Sequence, residues 1–216
     1  MIPNNTVFLI PARKNSKGLP GKNRKLFKST ASIIPKELSS LVYVSTDDEY
    51  ILEEAKKYGF NCFQRPDDIC LDTSSLKECL AHFISQKGIF PETKIVMLCL
   101  TYPDRGWDDV VRCLSFFESQ KPSSMLCRQE IGISPYIMLF EGDNFRGEQV
   151  IEHNLYRRQD YRKCFHLSHY VHICLAGEED NLNDNLYNKN TLYYPMREVL
   201  DIDTLEDFQK HLGEQK

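Results

Sequence analysis

The sequence predicts an α/β fold, a mostly parallel sheet with helices on both faces. Three observations predict it. Short apolar runs rich in β-branched residues alternate with amphipathic helical patterns through about the first 125 residues, as in βαβ architectures. At 216 residues the chain suits one domain with a modest insert. That length supports a core that needs no staples, and the hydrophobic share of 41% is close to a soluble globular average.

The elements follow in order. Thr6 to Ala12 (TVFLIPA) reads as a buried strand, with a cationic loop leaving its C-terminal end. Leu41 to Thr46 (LVYVST) reads as a second strand. Asp47 and Asp48 then stand where a helix cap is needed, before a helix over Glu49 to Tyr58 that Gly59 stops. After Asp72 and Thr73, the residues Leu76, Cys79, Leu80, Phe83 and Ile84 form one helical face, ended by Gly88. Lys94 to Leu100 (KIVMLCL) predicts a third strand. Trp107, Val110, Val111, Leu114 and Phe117 mark another helix, and Ser124 to Cys127 a fourth strand. In such Rossmann-like folds ligands sit beyond the C-terminal ends of the strands. The cationic loop and the Ser45-Thr46-Asp47-Asp48 turn both fall there.

From Ile137 to Lys163 the pattern changes to a polar stretch rich in Arg, Asn and Glu without a helical period. It reads as an inserted arm or dimerisation flap. Tyr170 to Leu175 and Leu192 to Tyr194 are further strand candidates. Asp201 to Leu212 predicts a helix capped by Asp203 or Thr204, running through Leu205, Phe208 and Leu212. No internal repeat or low-complexity linker interrupts the chain.

Composition narrows the function classes. No apolar run approaches the ~18 residues of a membrane span, and Met1 to Asn5 lacks the basic-then-apolar layout of a signal peptide. A cytoplasmic protein without a membrane partner is expected. The eight cysteines contain no C-x-x-C pair and several lie in apolar runs, so they read as small buried hydrophobes in a reducing compartment. His166, His169 and His172 are spaced by three. On an extended segment they cannot share a face, so no metal site is expected there. Seven of the 27 Lys and Arg residues, and none of the 31 acids, lie between Arg13 and Lys28. A cationic loop on an acidic body is a focused anion site rather than a nucleic-acid surface, and the loop lacks interleaved aromatics.

The loop itself, Pro11 to Leu26, reads PARKNSKGLPGKNRKL. Gly18 and Gly21 let the backbone turn sharply and approach a ligand. The cations neutralise phosphate oxygens and free backbone N–H groups add to the cradle. It is not a Walker A loop: Asn23 follows Gly21-Lys22, and no glycine stands five residues before Gly21. The plainer alternative is a solvated basic loop.

The stretch Ile10-Pro-Ala-Arg-Lys-Asn-Ser-Lys-Gly-Leu-Pro-Gly-Lys-Asn23 resembles the opening loop of the CMP-sialic acid synthetases, or acylneuraminate cytidylyltransferases, which are related to the CMP-KDO synthetases. Other segments resemble that family in collinear order. These are Val44-Ser-Thr-Asp-Asp48, Arg65-Pro66 with Asp72-Thr73-Ser74-Ser75, Leu98 to Arg105 (LCLTYPDR), Arg158-Gln159-Asp160, and Asp201-Ile202-Asp203.

The resemblance implies a single cytidylyltransferase-like domain over residues 1–216 with an arm of approximately residues 137–165. It implies a homodimer and Mg²⁺ as cofactor. The implied reaction transfers CMP from CTP to a sialic-acid-like sugar acid and releases pyrophosphate, for cell-surface glycan synthesis. Catalysis of that kind rests on positioning and charge neutralisation.

The implied nucleotide contacts are Ala12, Arg13, Ser16, Lys17, Gly18, Lys22 and Asn23, with Arg65, Ser74 and Ser75 facing the cytidine. Arg13 and Lys22 would offset charge on the triphosphate. Asp201 and Asp203, at i and i+2, face one side of an extended segment and would hold the metal, with Asp203 catalytic. Cys99, Arg158 and Gln159 would meet the sugar acid. The alternatives for these residues are a helix cap for the Asp pair, a surface ion pair for Arg65, a helix start for Ser74 and Ser75, and a solvated arm.

The chain also departs from the family pattern. Lys14 and Asn15 replace small residues, Cys99 replaces a Gln, Tyr102 replaces a Ser, and His166 to Tyr170 replaces the family's Arg-x-Asn-Gly-Ala. Only Phe27 to Ser40 fills the gap before the second strand, so a short or lost helix is expected there. Most departures fall on the sugar side. They leave two alternatives: a degenerate nucleotide-binding protein without turnover, or a nucleotidyltransferase for a different acidic acceptor.

Overall fold

The computed structural model describes residues 2–214. Its strands are β1 (Thr6–Pro11), β2 (Val42–Thr46), β3 (Asn61–Gln64), β4 (Lys94–Met97), β5 (Ser124–Glu130), β6 (Leu139–Glu141), β7 (Gly147–Gln149), β8 (Phe165–Leu175) and β9 (Leu192–Pro195). The α-helices are α1 (Lys22–Ile33), α2 (Glu49–Lys57), α3 (Leu76–Lys87), α4 (Trp107–Gln120) and α5 (Leu205–Glu214).

Seven strands form one sheet in the order β3-β2-β1-β4-β8-β5-β9. Pairing is parallel except along β8, which runs antiparallel to both β4 and β5. The exception has a simple cause. The chain leaves the C-terminal end of β5, forms the arm, and returns along β8 as the second leg of a long hairpin. The arm therefore stands at the same end of the sheet as the ligand-side ends of the parallel strands. It carries its own small antiparallel pair, β6 and β7.

Strand alternation builds a core on each face. Phe8, Ile10, Val42, Val44 and Val96 pack with Leu26, Phe27, Ile51, Val110 and Leu114 of α1, α2 and α4. Leu9, Ile95, Met97 and Cys174 pack with Leu80 and Phe83 of α3. Helices cover both faces, as the sequence predicts. None of them is long and apolar enough to cross a membrane. All eight cysteines are free.

Two differences from the sequence expectation stand out. The helix before β2 is neither short nor lost: α1 has 12 residues and begins inside the cationic stretch. Its buried face, Leu26, Phe27, Thr30 and Ala31, is flanked by Lys and Arg on the solvent side, so charge hides the helical period. The edge strand β3 (NCFQ) carries only Phe63 as a buried residue, too little apolar signal to announce a strand. At the other boundaries, Asp48 caps α2 by accepting a hydrogen bond from Tyr50 N at 3.0 Å. Gly59 and Gly88 take positive φ beyond the ends of α2 and α3.

Candidate active site

The cationic loop is seated by backbone and side-chain bonds at the ends of β1 and β2. Ala12 N donates to Ser45 O at 2.9 Å, and the Thr46 hydroxyl donates to Ala12 O. Lys14 N donates to Asp47 Oδ1 at 2.6 Å, and Asn23 Nδ2 donates to Arg13 O at 2.7 Å. Ser16 is half-buried in the loop, while Lys17 and Gly18 are exposed. Gly21, at φ +66°, turns the chain into α1.

Gly18 fixes where the loop goes. A Cβ at this position would overlap the backbone carbonyl of Asp203, so only glycine allows the approach. The loop is thereby closed onto the segment carrying Asp201 and Asp203. Lys22 Nζ completes the contact with an ion pair to Asp203 Oδ1 at 2.7 Å. Away from that contact, Arg13 Nη1 donates to Leu71 O at 2.6 Å. Arg13 Nη2 and Lys17 Nζ both reach the Asp72 carboxylate, at 3.1 and 2.9 Å. Lys17 foremost, with Arg13, holds the Asp72 carboxyl below its ordinary range.

Arg65 is turned inward at 5% exposure. Its Nε donates to Ser45 Oγ at 3.1 Å and its Nη2 to Ser45 O at 3.0 Å, so no surface acid holds it. Ser74 Oγ accepts from Leu71 N at 3.1 Å and shapes the turn that presents Leu71 and Asp72 to Arg13. Ser75 caps α3 in a reciprocal box with Glu78. Its hydroxyl is thus committed to the helix start.

At the other end of the site, Ile202 N donates to Thr101 O at 2.8 Å, and the Ile202 side chain is fully buried. Of the flanking carboxylates, Asp201 turns to Tyr102 and Asp203 to Lys22. Thr204, not Asp203, caps α5: Asp207 N donates to Thr204 Oγ1 at 3.2 Å, and Asp207 Oδ2 accepts from Thr204 N. The Asp203 carboxylate is therefore left to Lys22.

Asp201 Oδ2 accepts from the Tyr102 hydroxyl at 2.7 Å, while Oδ1 is buried without a hydrogen-bond partner. Among the described residues, no group of three or more His, Cys, Asp and Glu side chains gathers around a cation site. Two carboxylates fit a different mode, in which Mg²⁺ takes one or two protein oxygens and completes its shell with phosphate and water. The unpartnered Asp201 oxygen is a donor suited to that role.

Two residues of this site are not among the site residues expected from the sequence, where Tyr102 enters only as a departure from the family pattern and Arg105 only as the end of a motif. Tyr102 is buried, and so is Arg105 at 2% exposure. The Arg105 guanidinium lies 5.8 and 5.4 Å from the ring centroids of Tyr102 and Tyr170 and donates to Cys99 O. Its Nε and Nη1 have no partner. A cation at the end of an apolar strand-and-turn run is the signal that could have found it. Burial pushes the Cys99 thiol up to about 12, so it stays protonated.

A cleft of about 850 Å³ runs from Asp201 to the base of the arm, walled by Gln129 to Ile133, Cys164 to His166, Val199, Leu200 and Lys210 among others. Arg158 and Gln159 line a neighbouring cleft of about 380 Å³ that shares Glu130, Ile131, Gly132 and Cys164 with the first. The structure thus brings together the loop, Asp201, Asp203 and Cys99. It leaves Arg158 and Gln159 on the exposed arm beside the Asp201 cleft. The three histidines lie along extended β8, and His172 is buried with its pKa pushed down to about 3.

Residues 7–91 match the family model described as cytidylyltransferase. Over these residues the chain is similar to the cytidylyltransferases. An N-acylneuraminate cytidylyltransferase of Streptococcus agalactiae serotype V is 25% identical over 221 residues, spanning 96% of this chain and 52% of that protein. Its serotype III counterpart is 24% identical with the same coverage. The chain spans about half the length of the curated relatives it matches. Among solved structures, a CMP:2-keto-3-deoxy-manno-octonic acid synthetase complexed with CTP shares the fold at a TM-score of 0.65 and 14% identity, covering 98% of this chain and 99% of its own. A 4-diphosphocytidyl-2C-methyl-D-erythritol synthase shares it at 0.64 and 8% identity, over the full length of both chains. The matched residues 7–91 contain the whole cationic loop and Asp72 but end before β4.

Proposed function

We propose that this chain transfers CMP from CTP to a sialic-acid-like sugar acid and releases pyrophosphate, in the cytoplasm, toward cell-surface glycan synthesis. One observation carries the reading: the Gly18 approach that closes the loop bearing Arg13, Lys14 and Lys17, with Lys22 at the start of α1, onto the Asp201–Asp203 segment, at the C-terminal ends of parallel strands. Cations meeting two carboxylates support a site for a nucleoside triphosphate with its metal.

In the proposed step the anomeric hydroxyl oxygen of the acceptor forms a bond to the α-phosphorus of CTP. The bond from that phosphorus to the bridging oxygen breaks, and pyrophosphate leaves with the electron pair. The hydroxyl proton passes to water. Arg13 and Lys17 exchange Asp72 for phosphate oxygens, and Lys22 exchanges Asp203 for the leaving group. Loop N–H groups orient the triphosphate. Arg65 and the Ser74 turn support the cytidine, and the cleft reaching Asp201 takes the acceptor, with Arg158 and Gln159 at its margin. Asp201 and Asp203 would hold Mg²⁺, which supplies charge neutralisation at the α-phosphate and acidifies the attacking hydroxyl when bound. The arm exposes Leu139, Phe140, Phe145, Leu155 and Tyr156, an apolar surface that supports a homodimer formed through it.

The test is pyrophosphate release with CTP and Mg²⁺ against N-acetylneuraminate, KDO, legionaminate and pseudaminate. Release with one acid, lost in Asp203→Asn, is the expected result. CTP binding without release from any acid would favour the second reading, a nucleotide-binding protein without turnover. Cys99 in place of an acceptor-facing amide is the feature that favours it.

A further inference from the structure

We infer that Tyr102 is a positioning residue that orients Asp201 toward the divalent cation. Tyr102 stands 99 positions from Asp201 in the chain, on the turn after β4, and its hydroxyl meets the carboxylate at 2.7 Å. Two donors fix the direction of that bond. His169 N donates to the Tyr102 oxygen at 3.2 Å, and Ser168 Oγ donates to it at 3.4 Å. With its lone pairs occupied from β8, the phenol directs its one proton to Asp201 Oδ2.

The ring is held as firmly as the hydroxyl. It packs edge-on against Tyr170, with centroids 5.5 Å apart, and lies against the Arg105 guanidinium. The consequence falls on the other carboxylate oxygen. Asp201 Oδ1 is buried and unpartnered, a costly state for an anionic acceptor unless a ligand satisfies it. Tyr102 therefore leaves Oδ1 as the one oxygen of Asp201 available to a cation, and fixes where it points. Partners of this kind, one bond removed from the ion, are typically worth 10- to 100-fold in metal affinity.

The inference rests on the cation reading under Proposed function, and the experiment separates the two. Water-proton relaxation enhancement distinguishes protein-bound Mn²⁺·CTP from Mn²⁺·CTP free in solution. Tyr102→Phe is expected to weaken binding of Mn²⁺·CTP at least tenfold while leaving metal-free CTP affinity within twofold. Asp201→Asn is expected to weaken Mn²⁺·CTP further. Loss in Asp201→Asn with no change in Tyr102→Phe would overturn the positioning role and leave the cation reading standing. No change in Asp201→Asn would overturn both. If Tyr102→Phe does not fold, the unsubstituted protein is labelled with ¹³Cζ-tyrosine and saturated with CTP. Adding Mg²⁺ should then shift one tyrosine ζ-carbon resonance, and the absence of any shift would overturn the inference.

Discussion

On the loop side of the site, charge meets charge at short range. Arg13 and Lys17 share Asp72, Lys22 holds Asp203, Arg24 chelates Asp48, and Gly18 admits backbone contact with Asp203. On the arm side the functional candidates are exposed. Arg158 and Gln159 sit on a single 3₁₀ turn with no tie to Asp201, and apolar side chains face solvent. The first region is a set of cations held in place by carboxylates of the same chain. The second is a surface whose geometry depends on what covers it. The family model matches residues 7–91, on the loop side. In the proposed function the first region takes the nucleotide and the second borders the acceptor.

The sharpest way to break this contrast is Asp203→Asn. It removes the carboxylate that faces Lys22 without touching the Thr204 cap, so folding should be unaffected. Turnover should fall by two to three orders of magnitude, on the scale of losing a preorganised charge partner. Near-normal turnover would remove Asp203 from the chemistry.

Gly18→Ala tests whether loop closure matters. The added methyl must push the loop off the Asp203 backbone, and a displacement near 1 Å costs about 100-fold in kcat/KM. Gly213→Ala, where a methyl meets open space, is the control and should behave as the unsubstituted protein.

Asp48→Asn tests the support beneath the loop. Burial alone would raise the Asp48 carboxyl, but the Arg24 guanidinium and the Tyr50 N–H outweigh it and hold it below its ordinary value. A depressed carboxyl stabilises the fold above the unfolded-chain pKa of about 3.9, and that contribution is lost as pH falls through the folded value. Asn keeps the helix cap but loses the charge. The variant should be less stable by about 1–2 kcal/mol near pH 7, discounted because Arg24 is half exposed. The gap should close below about pH 4 in denaturant titrations. A gap that persists in acid would make the ion pair irrelevant.

The smallest effect is expected at the arm. Arg158→Ala should raise the acceptor KM by roughly three- to tenfold, the value of one exposed charged contact, and leave CTP affinity unchanged. A change in CTP affinity would join the two regions that the structure separates.

What was legible in the sequence follows the same physical division. β1, β2 and β4 are buried on both faces, so each announces itself as an apolar run. The cationic loop is contiguous, so its glycines and charges read directly. Contacts between distant segments did not show. Tyr102 gains its role only from Asp201 and β8, and Arg105 only from the rings that fold around it. α1 was obscured because its first two turns expose Arg24, Lys25 and Lys28, and β3 because an edge strand buries little. The choice between Asp203 and Thr204 as helix cap was open from spacing alone and was settled by where Asp207 points.

The most direct measurement is calorimetric titration of the full chain with CTP and with UTP in Mg²⁺, repeated on Lys22→Ala. The account predicts saturable CTP binding, UTP weaker by at least tenfold, and CTP binding weakened at least tenfold in Lys22→Ala. No CTP binding, or equal binding of both nucleotides unaffected by Lys22→Ala, would contradict the assignment of this loop to a cytidine triphosphate.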